Sequence, residues 1–311
     1  MILGIDTSNY TTSVCMIDKS GNIVYENRKI LPVKEGQRGL RQSDAVYEHV
    51  RNLPELTDGI DKFDISCIAA SVTPRRVEGS FMPCFLVGKN FAKTMANLLH
   101  VPFHETTHQE GHIASALMGN ADIDASRPFI FVHLSGGTTE ILLCREDEYG
   151  YDCKIIGNTS DISAGQFIDR VGVNLGMQFP CGAEMDSIFD SENKELTLPT
   201  SVKGSVISFA GVETKVAGLI EEESITRASA VSAVFRCVGR SIGRAVEYAA
   251  KEHGIKDIIL GGGVSSSMNV KNIILKELHP SRSVHSSPKG LSADNSVGVA
   301  LLGLKHGGRN D

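Results

Sequence analysis

A chain of 311 residues, 41% of them hydrophobic, is long enough to bury a sizeable core and to divide it between two lobes. Its formal charge of −6 excludes an autonomous, non-specific nucleic-acid binder, because such binding depends on neutralising phosphates with Lys and Arg. The start of the chain has no basic segment followed by an apolar one, and no long uncharged apolar run follows, so a cytoplasmic protein is expected. The seven cysteines (Cys15, Cys67, Cys84, Cys144, Cys153, Cys181 and Cys237) are odd in number and nowhere form Cys-x2-Cys. They suggest neither a disulfide framework nor a zinc ribbon, and are expected as reduced thiols in small apolar gaps.

In chain order, residues 2–18 read as two apolar strands around the polar turn Asp6-Thr7-Ser8-Asn9-Tyr10-Thr11-Thr12. A strand is predicted over 65–72 and a helix over 88–99. Residues 128–144 repeat the opening plan, with Ser135-Gly136-Gly137-Thr138-Thr139 between two apolar runs. This repeat implies two similar lobes, each offering a hairpin turn to a ligand between them. Such turns present backbone N–H groups suited to a phosphate chain, although each alone also serves as an ordinary hairpin turn. Further on, the pattern gives a helix over 161–175, a polar surface excursion over 191–205 and a long helix over 228–252. A buried strand over 257–260, a helix over 267–278 entered from Gly261-Gly262-Gly263, and an apolar helical run over 297–304 complete an α/β chain.

His108 and His112 stand four apart, so on a helix they project from one face and can grip one metal ion. Two unrelated histidines would show the same spacing. Asp294, just before the apolar run at 297, is the candidate third ligand, and its position equally suits a helix N-terminal carboxylate. His133, at the end of an apolar strand, is either a fourth ligand or a hydrogen-bonded core residue. Two imidazoles and a carboxylate fit iron(II) or zinc better than magnesium. Asp169 is placed to accept hydrogen bonds from a ribose or to pair with a base such as Arg170, and Gly182 and Gly261-Gly262-Gly263 permit close backbone approach to a ligand or form plain turns. Lys215 reads as a surface lysine rather than a phosphate contact. Arg28, Lys29, Lys34, Arg38 and Arg41, with Arg75 and Arg76, form either a basic patch or a solvated surface.

Six motifs in this order carry a resemblance that runs essentially end to end: His-x-Glu-Gly-His at 108–112, Ser-Gly-Gly at 135–137, Ala-Gly-x-x-x-Asp at 164–169, Ser-Phe-x-Gly-x-x-Thr-Lys at 208–215, Gly-Gly-Val-Ser at 262–265 and Asp-Asn at 294–295. The chain resembles the tRNA N6-adenosine threonylcarbamoyltransferases, the TsaD group once described as O-sialoglycoprotein endopeptidases. The resemblance implies the duplicated ASKHA fold of actin-like and sugar-kinase-like ATPases. One lobe is expected over 1–118, completed by a C-terminal helix over 295–311, and the other over 119–294. It also implies His108, His112 and Asp294 as ligands of iron(II), or zinc, with His133 standing where one branch of the family has a Tyr ligand. Leu134, Ser135, Gly136, Gly137, Thr138, Asp169, Gly182 and Ser267 are the implied adenine-nucleotide contacts. The implied reaction moves a threonylcarbamoyl group from its adenylate to N6 of adenosine 37 in tRNA, with a TsaB-like partner of related fold and a TsaE-like ATPase.

The chain departs from the family pattern at several places. Tyr10-Thr11 replaces an acidic turn, with Asp6 where Glu is usual. Pro74-Arg75-Arg76-Val77-Glu78-Gly79-Ser80 replaces a shorter Pro-Gly loop, Gln42-Ser43 and Tyr47-Glu48-His49 replace Pro-Glu and Arg-Asp-His, and Ser267 replaces Asn. These departures leave two other readings open: a nucleotide-binding paralogue acting as an ATPase or carbamoyltransferase on another acceptor, and a non-catalytic scaffold. A peptidase is disfavoured, because His-Gln-Glu-Gly-His is not His-Glu-x-x-His and no Ser/His/Asp arrangement is recognisable.

Overall fold

The computed structural model describes the chain except for residues 9, 34–39, 289, 292–295 and 308–311. Its first sheet takes Ile2–Asp6 (β1), Thr11–Ile17 (β2), Ile23–Ile30 (β3), Cys67–Thr73 (β4) and Phe103–Thr107 (β5) in the order β3-β2-β1-β4-β5. The first three strands form an antiparallel meander, and β4 and β5 run parallel to β1. The second sheet takes Phe129–Leu134 (β6), Thr139–Glu146 (β7), Tyr151–Thr159 (β8), Val202–Lys203 (β9), Val206–Ile207 (β10), Asp257–Gly261 (β11) and Ser283–Ser286 (β12). Within it, β8-β7-β6-β11-β12 repeats the order and sense of the first sheet, and β10 and β9 extend it beyond β8. The repeated hairpin in the sequence is thus the visible part of a five-strand duplication.

The hairpins were legible because their strands are apolar: β1, β2 and β6 are buried at every position, as strands covered on both faces must be. The covering helices are Gln42–Leu56 (α1), Phe85–Leu99 (α2), His108–Met118 (α3), Ala164–Asn174 (α4), Gly182–Ile188 (α5), Ala210–Glu221 (α6), Arg227–Glu252 (α7), Met268–Glu277 (α8) and Ser296–Gly307 (α9). α4 starts three residues later than the sequence pattern suggests, because Ser163 caps it by accepting from Gln166 N. Asp161, outside the helix, accepts instead from Ser208 Oγ and Phe209 N. No helix among the described residues is long and apolar enough to cross a membrane.

Two helices tie the sheets together. α9 packs on β1, β2 and β4 and also on α3, while α3 in turn touches β4 and β5 of one sheet and β11 of the other. Glycines make this close approach possible. A Cβ at Gly298 of α9 would collide with the Gly111 backbone of α3, and one at Gly4 of β1 would meet the α9 backbone at Ser296 and Ala300. The histidine-bearing half of α3 is therefore fixed from two sides.

Candidate metal and nucleotide site

Thr107 ends β5 and caps α3: its Oγ1 accepts from Glu110 N at 3.2 Å, while the Glu110 carboxylate accepts from Thr107 N in return. This capping box sets the first turn of the helix, so that His108 and His112 share the face turned toward the first hairpin. His108 Nδ1 lies 3.0 Å from Oδ2 of the fully buried Asp6. The carboxylate also accepts from Ser8 N at 3.2 Å, from Ser8 Oγ at 3.0 Å and from Ser71 Oγ. A carboxylate only accepts, so His108 donates from Nδ1 and its Nε2 carries the lone pair. That Nε2 stands 2.9 Å from Nε2 of His112.

Two imidazole nitrogens bound to one ion at ~2.0–2.1 Å stand about 3 Å apart, so the observed pair suits a shared metal. Asp6 supplies the carboxylate behind the ligating ring that such sites employ. His133 is brought beside the pair, its ring centroid 4.7 Å from that of His112 and 6.4 Å from that of His108. Its Nε2 is buried with no hydrogen-bond partner among the described residues. Burial, then His108 and His133, holds the His112 imidazole well below the ordinary histidine range, against the pull of Asp6. Burial, then His108 and Arg75, brings His133 down to about 3. Both rings are neutral at neutral pH, the form that ligates a metal. Among the described residues no group of three or more His, Cys, Asp or Glu side chains is arranged to hold an ion. Asp294, the remaining expected ligand, lies outside the described residues.

The second hairpin turn faces this pair. Ser135 N donates to Thr138 O at 2.9 Å and Thr138 N donates to Ser135 Oγ at 3.0 Å, which closes the turn on itself. Among the described residues the N–H groups of Gly136 and Gly137 have no acceptor, and a Cβ on either would enter open space. A cavity of about 230 Å³ joins Ser135–Thr138 to His108, His112, His133 and Tyr10. Next to it, a cavity of about 450 Å³ is lined by Asp169, Gly182, Asp186 and Ser267, and Gly136 and Gly263 belong to both. The larger one falls in the ~300–1,000 Å³ range of small-molecule sites.

Most expected nucleotide contacts therefore converge on one space. Leu134 does not: it is wholly buried in the core and lines neither cavity, so its side chain supports the turn from behind. Asp169 Oδ1 accepts from Cys181 N at 2.8 Å, and burial raises its carboxyl pKa. Ser267 caps α8 by accepting from Val270 N and donates to Asp186. Lys215, on α6, is exposed and lines neither cavity.

Phe179 was not singled out by sequence reading, and the partners of Arg75 and Arg76 could not be read from it. Phe179 meets Tyr10, which lines the smaller cavity, with ring centroids 5.9 Å apart. The 74–80 loop reaches the second sheet, where Arg75 pairs with Glu140 at 2.6 Å, while Arg76 pairs with Glu110 of α3 and, at 2.8 Å, with Asp147 just beyond β7. Their signal in the sequence was only the run Arg75-Arg76. Lys29 pairs with Glu55 and Arg28 with Glu26, so the described members of the basic run are mostly neutralised, and Lys34 and Arg38 lie outside the described residues. A wider groove of about 740 Å³ runs past Arg75, Arg76 and His104, and both arginines in it are paired with carboxylates.

Solved structures of related architecture cover nearly the whole chain. Component A of the Acidaminococcus fermentans (R)-2-hydroxyglutaryl-CoA dehydratase superposes with TM-score 0.60 at 14% identity, over 99% of this chain and 98% of that one. T. kodakarensis HypF gives TM-score 0.63 at 15% identity, over 98% of this chain and 48% of that one. A ROK family glucokinase from Streptomyces griseus gives 0.57 at 12% identity, over 97% of each. These likenesses establish the duplicated two-lobe ASKHA fold. In sequence, a tRNA N6-adenosine threonylcarbamoyltransferase of Thermus thermophilus is 28% identical over 310 residues, 96% of this chain and 91% of that protein. The Archaeoglobus fulgidus enzyme of the same name is 27% identical over 98% of this chain and 92% of its own. The sequence model described as TsaD, tRNA N6-adenosine threonylcarbamoyltransferase, matches residues 39–301. The chain therefore belongs to the TsaD family of tRNA-modifying threonylcarbamoyltransferases.

Proposed function

We propose that the chain transfers a threonylcarbamoyl group from threonylcarbamoyl-AMP to N6 of adenosine 37 in tRNAs reading codons that begin with A. The observation that carries this reading is the meeting of the two cavities at Gly136 and Gly263, which sets Asp169 and Gly182 on one side and the His108–His112 pair on the other. An adenylate seated along Asp169 and Gly182 would bring its acyl phosphate to the Gly136 and Gly137 N–H groups. Those donors stabilise charge growing on the carbamoyl oxygen, and one well-placed donor of this kind contributes roughly 10²–10³ in rate. An iron(II) or zinc ion held by His108, His112 and Asp294 would supply Lewis acidity or hold the substrate carboxylate. Asp6 keeps the His108 ring oriented, and Met82 and Phe85 add apolar lining to that cavity.

The weakly nucleophilic adenine amine attacks as AMP departs, a good leaving group that needs little acid assistance. With a charge of −6 and paired arginines, the chain holds tRNA through a TsaB-like partner of related fold, with a TsaE-like ATPase serving the cycle. Tyr10 against Phe179, where the family has an acidic turn, favours the second reading, a paralogue with another acceptor. Single-turnover incubation of iron-loaded protein, threonylcarbamoyl-adenylate and unmodified tRNA, with and without a TsaB-like partner, separates the two by nucleoside mass spectrometry. Threonylcarbamoyladenosine is the expected product. Its absence with tight adenylate binding retained would overturn the tRNA reading in favour of another acceptor.

A further inference from the structure

Cys144 on β7 and Cys153 on β8 stand directly opposite each other in the antiparallel register. Opposed residues leave a sheet on the same face with Cα atoms ~4.5–5.5 Å apart. Disulfide-bonded cysteines have Cα separations of ~4.4–6.8 Å, so this pair can be bridged without moving the backbone. Both are free thiols, Cys144 buried and Cys153 partly exposed. Cys144 sits in the cluster of Ile113, Phe129, Phe131 and Leu142, and Cys153 packs at its edge.

The pair also has a route to small polar molecules. A cavity of about 40 Å³ reaches Cys153 and is lined by Arg76, Thr107, Gln109 and Glu110 among others. A water needs ~10–15 Å³ of such space, so the cavity admits a molecule of hydrogen-peroxide size and offers it polar partners.

We propose that Cys144 and Cys153 form a peroxide-responsive dithiol that closes to a disulfide across the β7–β8 hairpin. The Cys153 sulfur attacks one peroxide oxygen, the O–O bond breaks, and one water leaves with the thiol proton, giving a sulfenic acid. The Cys144 sulfur then displaces the hydroxyl from Cys153. The S–S bond forms, and the hydroxyl leaves as a second water with the Cys144 proton. Two thiols are oxidised by two electrons while one peroxide is reduced to two waters. Burial keeps the Cys144 thiol protonated, so Cys153 is the sulfur that reacts first.

The bridge would pin both ends of the hairpin tip. That tip presents Asp147 to Arg76, the carbonyls of Asp147 and Gly150 to Lys305, and the carbonyl of Tyr149 to His306. Oxidation thus acts on the contacts that hold the loop after β4 and the end of α9 against the second sheet.

The test treats the full chain with hydrogen peroxide in native buffer, quenches with catalase, alkylates in denaturant and maps the peptides by mass spectrometry. Alkylatable cysteines should fall from seven to five, with a Cys144–Cys153 cross-linked peptide that a dithiol reductant reopens. Cys153→Ser and Cys144→Ala should each abolish the cross-link, and Cys15→Ser should retain it. Seven alkylated thiols, Cys153 oxidised to sulfinic acid without a cross-link, or a cross-link formed only when peroxide is added in denaturant would each overturn the proposal.

Discussion

His108 and Asp6, 102 residues apart in sequence, meet at 3.0 Å between Nδ1 and Oδ2, and the carboxylate they share with Ser8 and Ser71 is fully buried. The contact fixes both the tautomer and the orientation of the ring whose other nitrogen faces His112. Ser8 N, Ser8 Oγ, Ser71 Oγ and the His108 ring all donate to this one buried carboxylate, a rigid support of the kind that orients metal-binding imidazoles.

Replacing that anion should therefore weaken metal binding without removing a ligand. Asp6→Asn is expected to lower zinc(II) or iron(II) affinity by roughly 10–100-fold, read by competition with a chromophoric chelator. His112→Ala should lose the bound metal altogether while its thermal unfolding stays cooperative. Unchanged metal content in His112→Ala, by elemental analysis, would remove this pair from any metal site.

Acid should destabilise the fold through His49. The ring is buried on α1 with Nδ1 2.8 Å from Thr12 Oγ1, and burial brings its pKa down to about 4 even though Asp6 pulls it up. Between about pH 6.5 and 4 the unfolded chain binds a proton there that the folded chain does not. The contribution is complete above 6.5 and is lost as the pH falls toward 4, up to about 3 kcal/mol. His49→Gln should flatten the pH dependence of the urea midpoint in this window. Parallel curves for the two proteins would show that His49 does not stay neutral in the fold.

The α3–α9 contact should tolerate no side chain at Gly298. Gly298→Ala drives a methyl into the Gly111 backbone between the two histidines. A destabilisation of about 1–3 kcal/mol is expected, together with weaker metal binding, because α3 must shift. Differential scanning calorimetry and metal titration check the two effects, and a wild-type melt would refute the packing.

At Gly136 the opposite is expected. A Cβ there meets nothing, so Gly136→Val should change stability by less than about 0.5 kcal/mol. The branched side chain would occupy the junction of the two cavities, and calorimetric affinity for AMP should fall at least about tenfold. Undiminished AMP binding would place the nucleotide elsewhere.

What could be read in the sequence follows from what locality determines. The paired hairpins, α3 and the glycine-lined turns were legible because apolar runs, the His-x3-His spacing and Ser-Gly-Gly are local signals. β3 was not, since its residues are largely exposed on an edge and show no buried alternation. α1 was obscured by its polar composition and by Pro54 inside it. The expected nucleotide contacts could be named one by one, but the meeting of their two cavities at Gly136 and Gly263 could not. The role of Asp6 exists only once β1, β4 and α3 are together, and those of Phe179 and Glu140 only once Tyr10 and Arg75 of the first half meet the second. The cationic run could be seen, whereas its neutralisation by Glu26, Glu55, Glu110 and Glu140 depended on tertiary partners.

Helix α9 also sets a timetable. Ile2, Cys15, Ile17 and Cys67 of the first sheet bury themselves against Val297 and Ala300 of that helix. A ribosome adding ~5–20 residues each second needs roughly 12–46 s to travel from Cys67, which completes the first set, to Val297. Throughout that interval one apolar face of the first sheet waits uncovered, open to association with other chains. Synthesis that stalls before α9 would release a protein whose second sheet is whole and whose first is sticky, with the histidine helix lacking the surface that seats it.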